Sequence, residues 1–155
     1  MRDFGSIREV TPPELELAVG MGGTSLGTAA ELALKLLDER KRKYKALGVD
    51  YYQPWLVLMT DGCPTDDTHT AVAKDVRDRI AKKLLTTFPI GIGTGADMAV
   101  LGLFTVDRTP LRLKELRFKE FFAWLSRSVA KVSQSTPGEK VDLPPGVEGW
   151  AHLST

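Results

Sequence analysis

The sequence has little of what would mark an oxidised, membrane-bound or strongly charged protein. Cys63 is its single cysteine, which excludes an intrachain disulfide framework and favours a reducing compartment. No stretch approaches the roughly 20 apolar residues of a membrane-spanning helix, and the N-terminus has no apolar run of signal-peptide length. With 21 basic and 20 acidic residues, the net charge is +1, so neither nucleic acid nor a membrane is expected as a partner. We therefore predict a cytoplasmic protein.

The sequence also lacks an evident catalytic set. Its two histidines, His69 and His152, belong to no serine–aspartate pattern and are expected at the surface. The segment LVLMTDG is similar to the nucleophile loop of haloacid dehalogenase-type phosphohydrolases, but Met59 stands in place of the nucleophilic aspartate. Gly91-x-Gly93 begins like a dinucleotide-binding loop, yet only a short helix follows it, and such a match is weak alone. The prediction is a protein that is not an enzyme, with a metal-dependent hydrolase as the least favoured alternative.

Apolar residues at intervals of three and four predict helices. The first helix begins after Thr24-Ser25 and ends near Gly48, and its basic run at 40–43 is interpreted as a solvated helix end. Further helices are predicted over 68–84, near 98–103 and from residue 118 to about 132. The predicted inward faces are Leu26, Ala29, Ala30, Ala33, Leu36 and Leu37 in the first helix, Val72, Val76, Ile80 and Ala81 in the second, and Phe118, Phe121, Phe122, Leu125, Val129 and Val132 in the last.

Short apolar runs between the helices predict strands. Residues 55–59 are apolar without alternation, which is typical of a parallel strand buried on both faces. Residues 86–93 form a second strand, where Pro89 is a conflict because proline cannot donate to a neighbouring strand. Further short strands are predicted near 110–113 and 7–10. The pattern predicts an α/β fold with a mostly parallel sheet and helices on both faces. Residues 134–155 are expected to form an extended Pro/Gly-containing tail packed on the same domain.

The residues after the first apolar strand are the best candidates for binding, because ligands of such sheets lie beyond the carboxyl ends of the strands. Asp61 is explained equally well as a ligand-binding carboxylate and as a turn former with Gly62. Asp66 and Asp67 are better explained as caps of the following helix. Thr24 is first of all a candidate N-cap. Cys63 is expected to be an inert packing residue.

Four segments in series resemble the von Willebrand factor A-type (vWA) domain of the bacterial TerY-like group. They are GGTSLG at 22–27, LVLMTDGCPTDD at 56–67, GIGTGAD at 91–97 and FKEFFAWLSRSV at 118–129. The resemblance implies a Rossmann-like sheet with a metal-ion-dependent adhesion site, at which Mg²⁺ keeps an open position for a partner's carboxylate. It implies that Thr24 is a direct ligand and that Asp61 acts through water. Residues lining this site would be Gly23, Ser25, Gly62 and Asp66.

The chain departs from the family in one important respect, since no DxSxS motif occurs in its 155 residues. By resemblance, residues 1–133 would form a partial vWA domain without the first strand, first helix and second strand. The strand at 55–59 would then have one unpaired edge. Three explanations stay open: a fragment of a longer reading frame, a domain completed by another polypeptide or a second copy, and a degenerate domain with a rebuilt edge. Mg²⁺ is expected only if the missing ligands are supplied, and no cofactor is expected for the isolated chain.

The resemblance implies a protein-binding module of a bacterial stress-response system like tellurite resistance. Its incomplete adhesion site would bind a protein partner through an acidic residue of that partner. The unpaired edge supports an alternative of another kind. In it the chain is a metal-independent assembly half-domain that pairs with a partner or with its own copy, so that a homo-oligomer is expected. A DxSxS motif encoded immediately upstream of Met1 would distinguish the two hypotheses.

Overall fold

The computed structural model describes residues 23–106, 108–113, 117–137, 139 and 141–144, together with the backbone of 151–153. Helices and strands alternate along this part of the chain, which confirms the predicted α/β class. The elements are α1 (Leu26–Ala46), β1 (Trp55–Thr60), α2 (His69–Ala81), β2 (Thr86–Ile92), α3 (Met98–Gly102), β3 (Leu111–Leu113), α4 (Phe118–Ser133) and β4 (Ala151–Leu153). The strand predicted at 7–10 and the side chain of His152 lie outside the described residues. No helix of the described part combines the length and apolar character needed to cross a bilayer.

The strands form one sheet in the order β1-β2-β3-β4. β1 pairs with β2 in parallel along its whole length, from Trp55 opposite Thr86 to Thr60 opposite Gly91. β2 also pairs with β3 in parallel, whereas β4 is antiparallel to β3. Pairing with β3 starts at Ile90, so Pro89 lies where β2 has no hydrogen-bonded neighbour on that side and no donor is needed there. Within the described residues, β1 is therefore an edge strand.

Helices cover both faces of the sheet, as predicted, and each face has its own core. On one face, α1, α2 and α3 pack over Leu56 and Leu58 of β1. On the other face, Phe121 and Trp124 of α4 pack over Phe88 of β2 and over β3. The prediction that β1 is buried on both faces is wrong, because its side chains alternate between buried and half-buried. The half-buried ones are Trp55, Val57 and Met59.

The predicted inward face of α4 needs correction. Phe121 is fully buried, but Phe122 and Val129 are 51% and 50% exposed. Trp124, which the apolar stripe did not include, is buried instead, because its ring lies 5.7 Å from that of Phe88 and its Nε1 donates to the Pro144 carbonyl at 2.8 Å. The apolar stripe of α4 is therefore wider than the face that the sheet covers.

The other two long helices also differ from their predicted faces. Leu34 is buried although the prediction omitted it, and Ala29 and Ala81 are exposed although it included them. The reason is that α1 packs against α2 as well as the sheet, which rotates the buried face of each helix. The predicted end of α1 is confirmed, since Gly48 has a φ of +64° and Val49 N donates to the Tyr44 carbonyl in a helix-terminating turn.

Candidate functional site

Three segments meet at the carboxyl ends of β1 and β2: residues 23–25 before α1, residues 61–67 after β1, and residues 93–97 after β2. Thr24 forms an isolated parallel bridge with Pro64, and Thr65 N donates to the Thr24 carbonyl at 2.9 Å. A Cβ at Gly23 would lie 2.1 Å from Thr65 Oγ1, so only glycine allows the two segments to come this close. The first two segments are therefore fixed to each other by their backbones.

Thr24 and Asp61, the two metal ligands that the resemblance implies, lie on facing segments. A Cβ at Gly62, the residue after Asp61, would be 3.3 Å from Thr24 Oγ1. The third segment contacts the same place, since a Cβ at Gly95 would lie 2.7 Å from the Asp61 carbonyl oxygen. Asp61 itself is exposed, as are Gly23 and Ser25. The structure thus brings the Thr24 hydroxyl beside the Asp61-Gly62 turn at a solvent-facing edge of the sheet.

Asp66 has a structural task that sequence reasoning assigned to other residues. Its Oδ2 accepts hydrogen bonds from Thr28 N at 2.8 Å, Thr28 Oγ1 at 3.3 Å and Thr68 Oγ1 at 3.1 Å. Thr28 is in the first turn of α1, whose N-cap, Ser25, makes no side-chain capping bond. Asp66 therefore caps α1 from a distant loop. The predictions that Thr24 caps α1 and that Asp66 caps α2 are wrong, because the bridge between 24 and 64 carries Asp66 to the start of α1.

The environment of Asp66 favours its ionised form. Burial alone would raise its pKa, but the hydrogen bonds from Thr28 and Thr68 and from the Gly27 backbone together lower the pKa below the ordinary value of an aspartate. Its other oxygen, Oδ1, is buried without a hydrogen-bond partner among the described residues and lies 3.8 Å from His69 Nδ1. His69 Nδ1 donates instead to the Asp66 carbonyl at 2.7 Å. His69, expected at the surface, is only partly exposed, with 23% of its side chain accessible.

Arg112 on β3 is a residue of this edge that sequence reasoning missed. Its guanidinium donates from Nη2 to the Ala96 carbonyl at 3.1 Å and from Nη1 to the Gly93 carbonyl. These bonds hold the third segment against the sheet, where Gly95 packs on Asp61. The available signal was weak: a single arginine between two leucines in a short strand, which is equally typical of a solvent-facing strand position.

The two ligands that the resemblance implies are too few for a complete Mg²⁺ site. Mg²⁺ demands close to six oxygen ligands in octahedral geometry, whereas the resemblance assigns only the Thr24 hydroxyl and the Asp61 carboxylate, and Oδ2 of nearby Asp66 is engaged by α1. No group of three or more histidine, cysteine, aspartate or glutamate residues that could hold a metal occurs in the described part of the chain. Cys63, expected to pack inside, is exposed beside this edge.

No family model, curated protein or solved structure matches the chain. Two features of the described residues bear on function: the solvent-facing edge formed by Thr24, Asp61 and the 93–97 segment, and the edge strand β1.

Proposed function

We propose that the chain is a vWA-type, Rossmann-like protein-binding module with an incomplete metal-ion-dependent adhesion site, and that it is not an enzyme. In this proposal it is cytoplasmic and acts in a bacterial stress-response system resembling tellurite resistance. The observation that carries this proposal is the approach of Thr24 to the Asp61-Gly62 turn. A hydroxyl that precedes α1 and a carboxylate that follows β1 meet here at the carboxyl ends of parallel strands, the position at which such sheets bind ligands.

Two further observations support a binding role. The Asp61 carboxylate is exposed, so a partner can reach it without any rearrangement of the core. The loops around it are held by backbone hydrogen bonds, by the close approach at Gly95 and by Arg112, so the edge is preorganised. A preorganised edge loses little conformational entropy on binding.

Metal titration tests this proposal. Because two donors leave the ion most of its hydration shell, the isolated chain should bind Mg²⁺ no more tightly than about 1 mM in calorimetry. Paramagnetic Mn²⁺ at similar concentrations should broaden the amide resonances of residues 24–25 and 61–62 before others. Asp61→Ala should abolish this local broadening, and Asp50→Ala, another exposed aspartate ahead of β1, should leave it intact. Broadening spread evenly over exposed carboxylates would contradict the proposed site, and micromolar Mg²⁺ affinity would contradict its incompleteness.

The alternative function, a metal-independent assembly half-domain, is favoured by a different observation. β1 pairs only with β2 among the described residues, so one row of its backbone N–H and C=O groups has no strand partner there. The face of β1 that carries Trp55, Val57 and Met59 is half-buried, and on the same side of the sheet α4 exposes Phe122 and Val129. Pairing of β1 with β1 of a second copy about a dyad perpendicular to the sheet would place both α4 helices on one face, on either side of the seam.

Size-exclusion chromatography with light scattering over a dilution series tests the alternative. We expect a concentration-dependent dimer that Mg²⁺ and EDTA leave unchanged. A cooperatively melting monomer at every concentration would contradict pairing between copies, and a dimer that requires Mg²⁺ would instead favour association through the Asp61 edge.

A further inference from the structure

A groove of about 860 Å³ lies between α1 and α2, away from the Asp61 edge. One wall follows α1 from Glu31 to Lys45, which corresponds to about 21 Å at 1.5 Å per residue. The other wall is formed by α2 and by Leu84, just beyond it. The groove is long enough for an extended peptide of several residues.

The carboxylates in the middle of the groove are already engaged. Asp38 accepts two bonds from Arg79 Nη1, at 2.8 and 2.9 Å, and Asp75 accepts from Arg79 Nε at 3.0 and 3.1 Å. One guanidinium therefore serves two carboxylates. Three further cationic side chains line the end of the groove near the C-terminus of α1, namely Lys41, Arg42 and Lys45. This end of the groove therefore carries an excess of positive charge, although the net charge of the whole chain is only +1.

Lys41 shows that an anion would be favoured there. Its Nζ donates to the Leu84 carbonyl at 2.8 Å, which holds the ammonium within the groove. Burial lowers the pKa of Lys41, and neighbouring Arg79 and Lys45 act in the same direction, so that the attraction of Asp38 does not compensate. A carboxylate bound beside Lys41 would restore the missing stabilisation of its charged form.

Apolar surface adjoins these cations. Leu84 is 48% exposed, and Tyr51, whose ring stacks on that of Tyr44 at 5.9 Å, also lines the groove. The turn that presents Leu84 contains Lys83 at a φ of +56°, a left-handed conformation that lysine rarely adopts. The backbone is thus held in an unfavourable conformation at the residue that places Leu84 on the rim of the groove.

We propose that the end of this groove near Lys41 binds an acidic segment of a partner protein that carries an apolar side chain. Its carboxylates would pair with Lys41, Arg42 and Lys45, and its apolar side chain would cover Leu84 and Tyr51. Nucleic acid fits less well, because a uniformly charged phosphate backbone that followed the groove would pass Asp38 and Asp75 in its middle and Glu31 at its other end. The inference does not depend on Thr24 and Asp61.

Fluorescence anisotropy with the full chain tests this proposal. The probe is a labelled eight-residue peptide of glutamates with two leucines. Comparison ligands are the same peptide with serine in place of leucine, and a single-stranded DNA of equal charge. The test variant is Arg42→Glu/Lys45→Glu. The matched control is Lys119→Glu/Lys131→Glu, which alters the net charge equally at exposed positions of α4. Circular dichroism and thermal melting establish that both variants are folded.

We expect saturable binding of the leucine-containing peptide with a dissociation constant of about 100 µM, because so short a segment buries too little surface for much tighter association. Binding should weaken about tenfold or more in the groove variant and less than about twofold in the control. Equal weakening in both variants would show that net charge alone governs binding, and would overturn the proposal. Absence of binding up to about 1 mM, equal affinity for the serine peptide, or tighter binding of DNA would overturn it as well.

Discussion

The two faces of the sheet are covered to different extents. Under α1, α2 and α3, the inward side chains of β1 are buried, and Ala30 and Val76 of the covering helices have no exposed surface. Under α4, the cover is dense over β2 and β3 but thin over β1, and Phe122 and Val129 remain half exposed. On the α4 face, the ring of Phe122 contacts that of Phe121, with centroids 5.2 Å apart, yet Phe122 and Val129 stay half exposed. The more exposed α4 face is therefore the one at which the proposed association between copies can be tested.

Among substitutions that test the two faces of the sheet, truncation of Phe121 should have the largest effect on the free energy of unfolding. Its side chain is fully buried between α4 and the sheet, so Phe121→Ala should lower the free energy of unfolding by about 3–5 kcal/mol. On the other face, Leu58→Ala should cost about 2–5 kcal/mol for the same reason. Urea denaturation monitored by tryptophan fluorescence measures both. If Phe121→Ala left the midpoint unchanged, the dense part of the α4 face would not be a core.

Removal of the Asp66 carboxylate should have a smaller effect, confined to the attachment of α1. Asp66→Ala leaves Thr28 N in the first turn of α1 without its acceptor, which should cost about 1–2 kcal/mol at neutral pH. Asp67→Ala is the matched control, because Asp67 is adjacent and exposed, and it should change stability by less than about 0.5 kcal/mol.

The effect of Asp66→Ala should depend on pH in a defined direction. The folded pKa of Asp66 is lower than the ordinary value, so its contribution is fully present above about pH 4. That contribution is lost as the pH falls through the lower, folded pKa, where the protonated carboxyl resembles the truncated side chain more closely. Urea midpoints of the native and Asp66→Ala chains should therefore converge towards about pH 2. A constant difference between pH 7 and pH 2 would show that the carboxylate charge contributes nothing.

The sequence was sufficient to predict the order of helices and parallel strands, because apolar periodicity and short apolar runs report local structure directly. It was not sufficient to predict which part of an apolar stripe is buried. Phe121 and Phe122 are adjacent and identical in type, and only the placement of α4 over β2 and β3 separates them. The same holds for the candidate site. The loop after β1 was identified from Asp61-Gly62, but the use of Asp66 by α1 depends on a contact 38 residues away in the chain.

The smallest effect on folding is expected at the exposed apolar residues of α4. Substitutions there test the less completely covered face of the sheet directly. Phe122→Ser/Val129→Ser should change the free energy of unfolding of the monomer by less than about 1 kcal/mol, since both side chains are half exposed. Leu47→Ser/Val49→Ser is the matched control, because these two apolar residues are 76% and 48% exposed just beyond the end of α1 and belong to neither α4 nor β1.

If β1 and α4 together form an interface between copies, the α4 variant should shift the chain from dimer to monomer in a light-scattering dilution series while its melting stays cooperative. The control variant should dimerise like the native chain, because it loses two exposed apolar side chains that are not on α4 or β1. Val57→Pro removes a backbone N–H donor at the middle of β1. If this variant is also monomeric, the edge of β1 takes part in the dimer interface. Dimers that persist in the α4 variant would show that association does not use this face. Dimers lost equally in both variants would show that association is a nonspecific apolar contact.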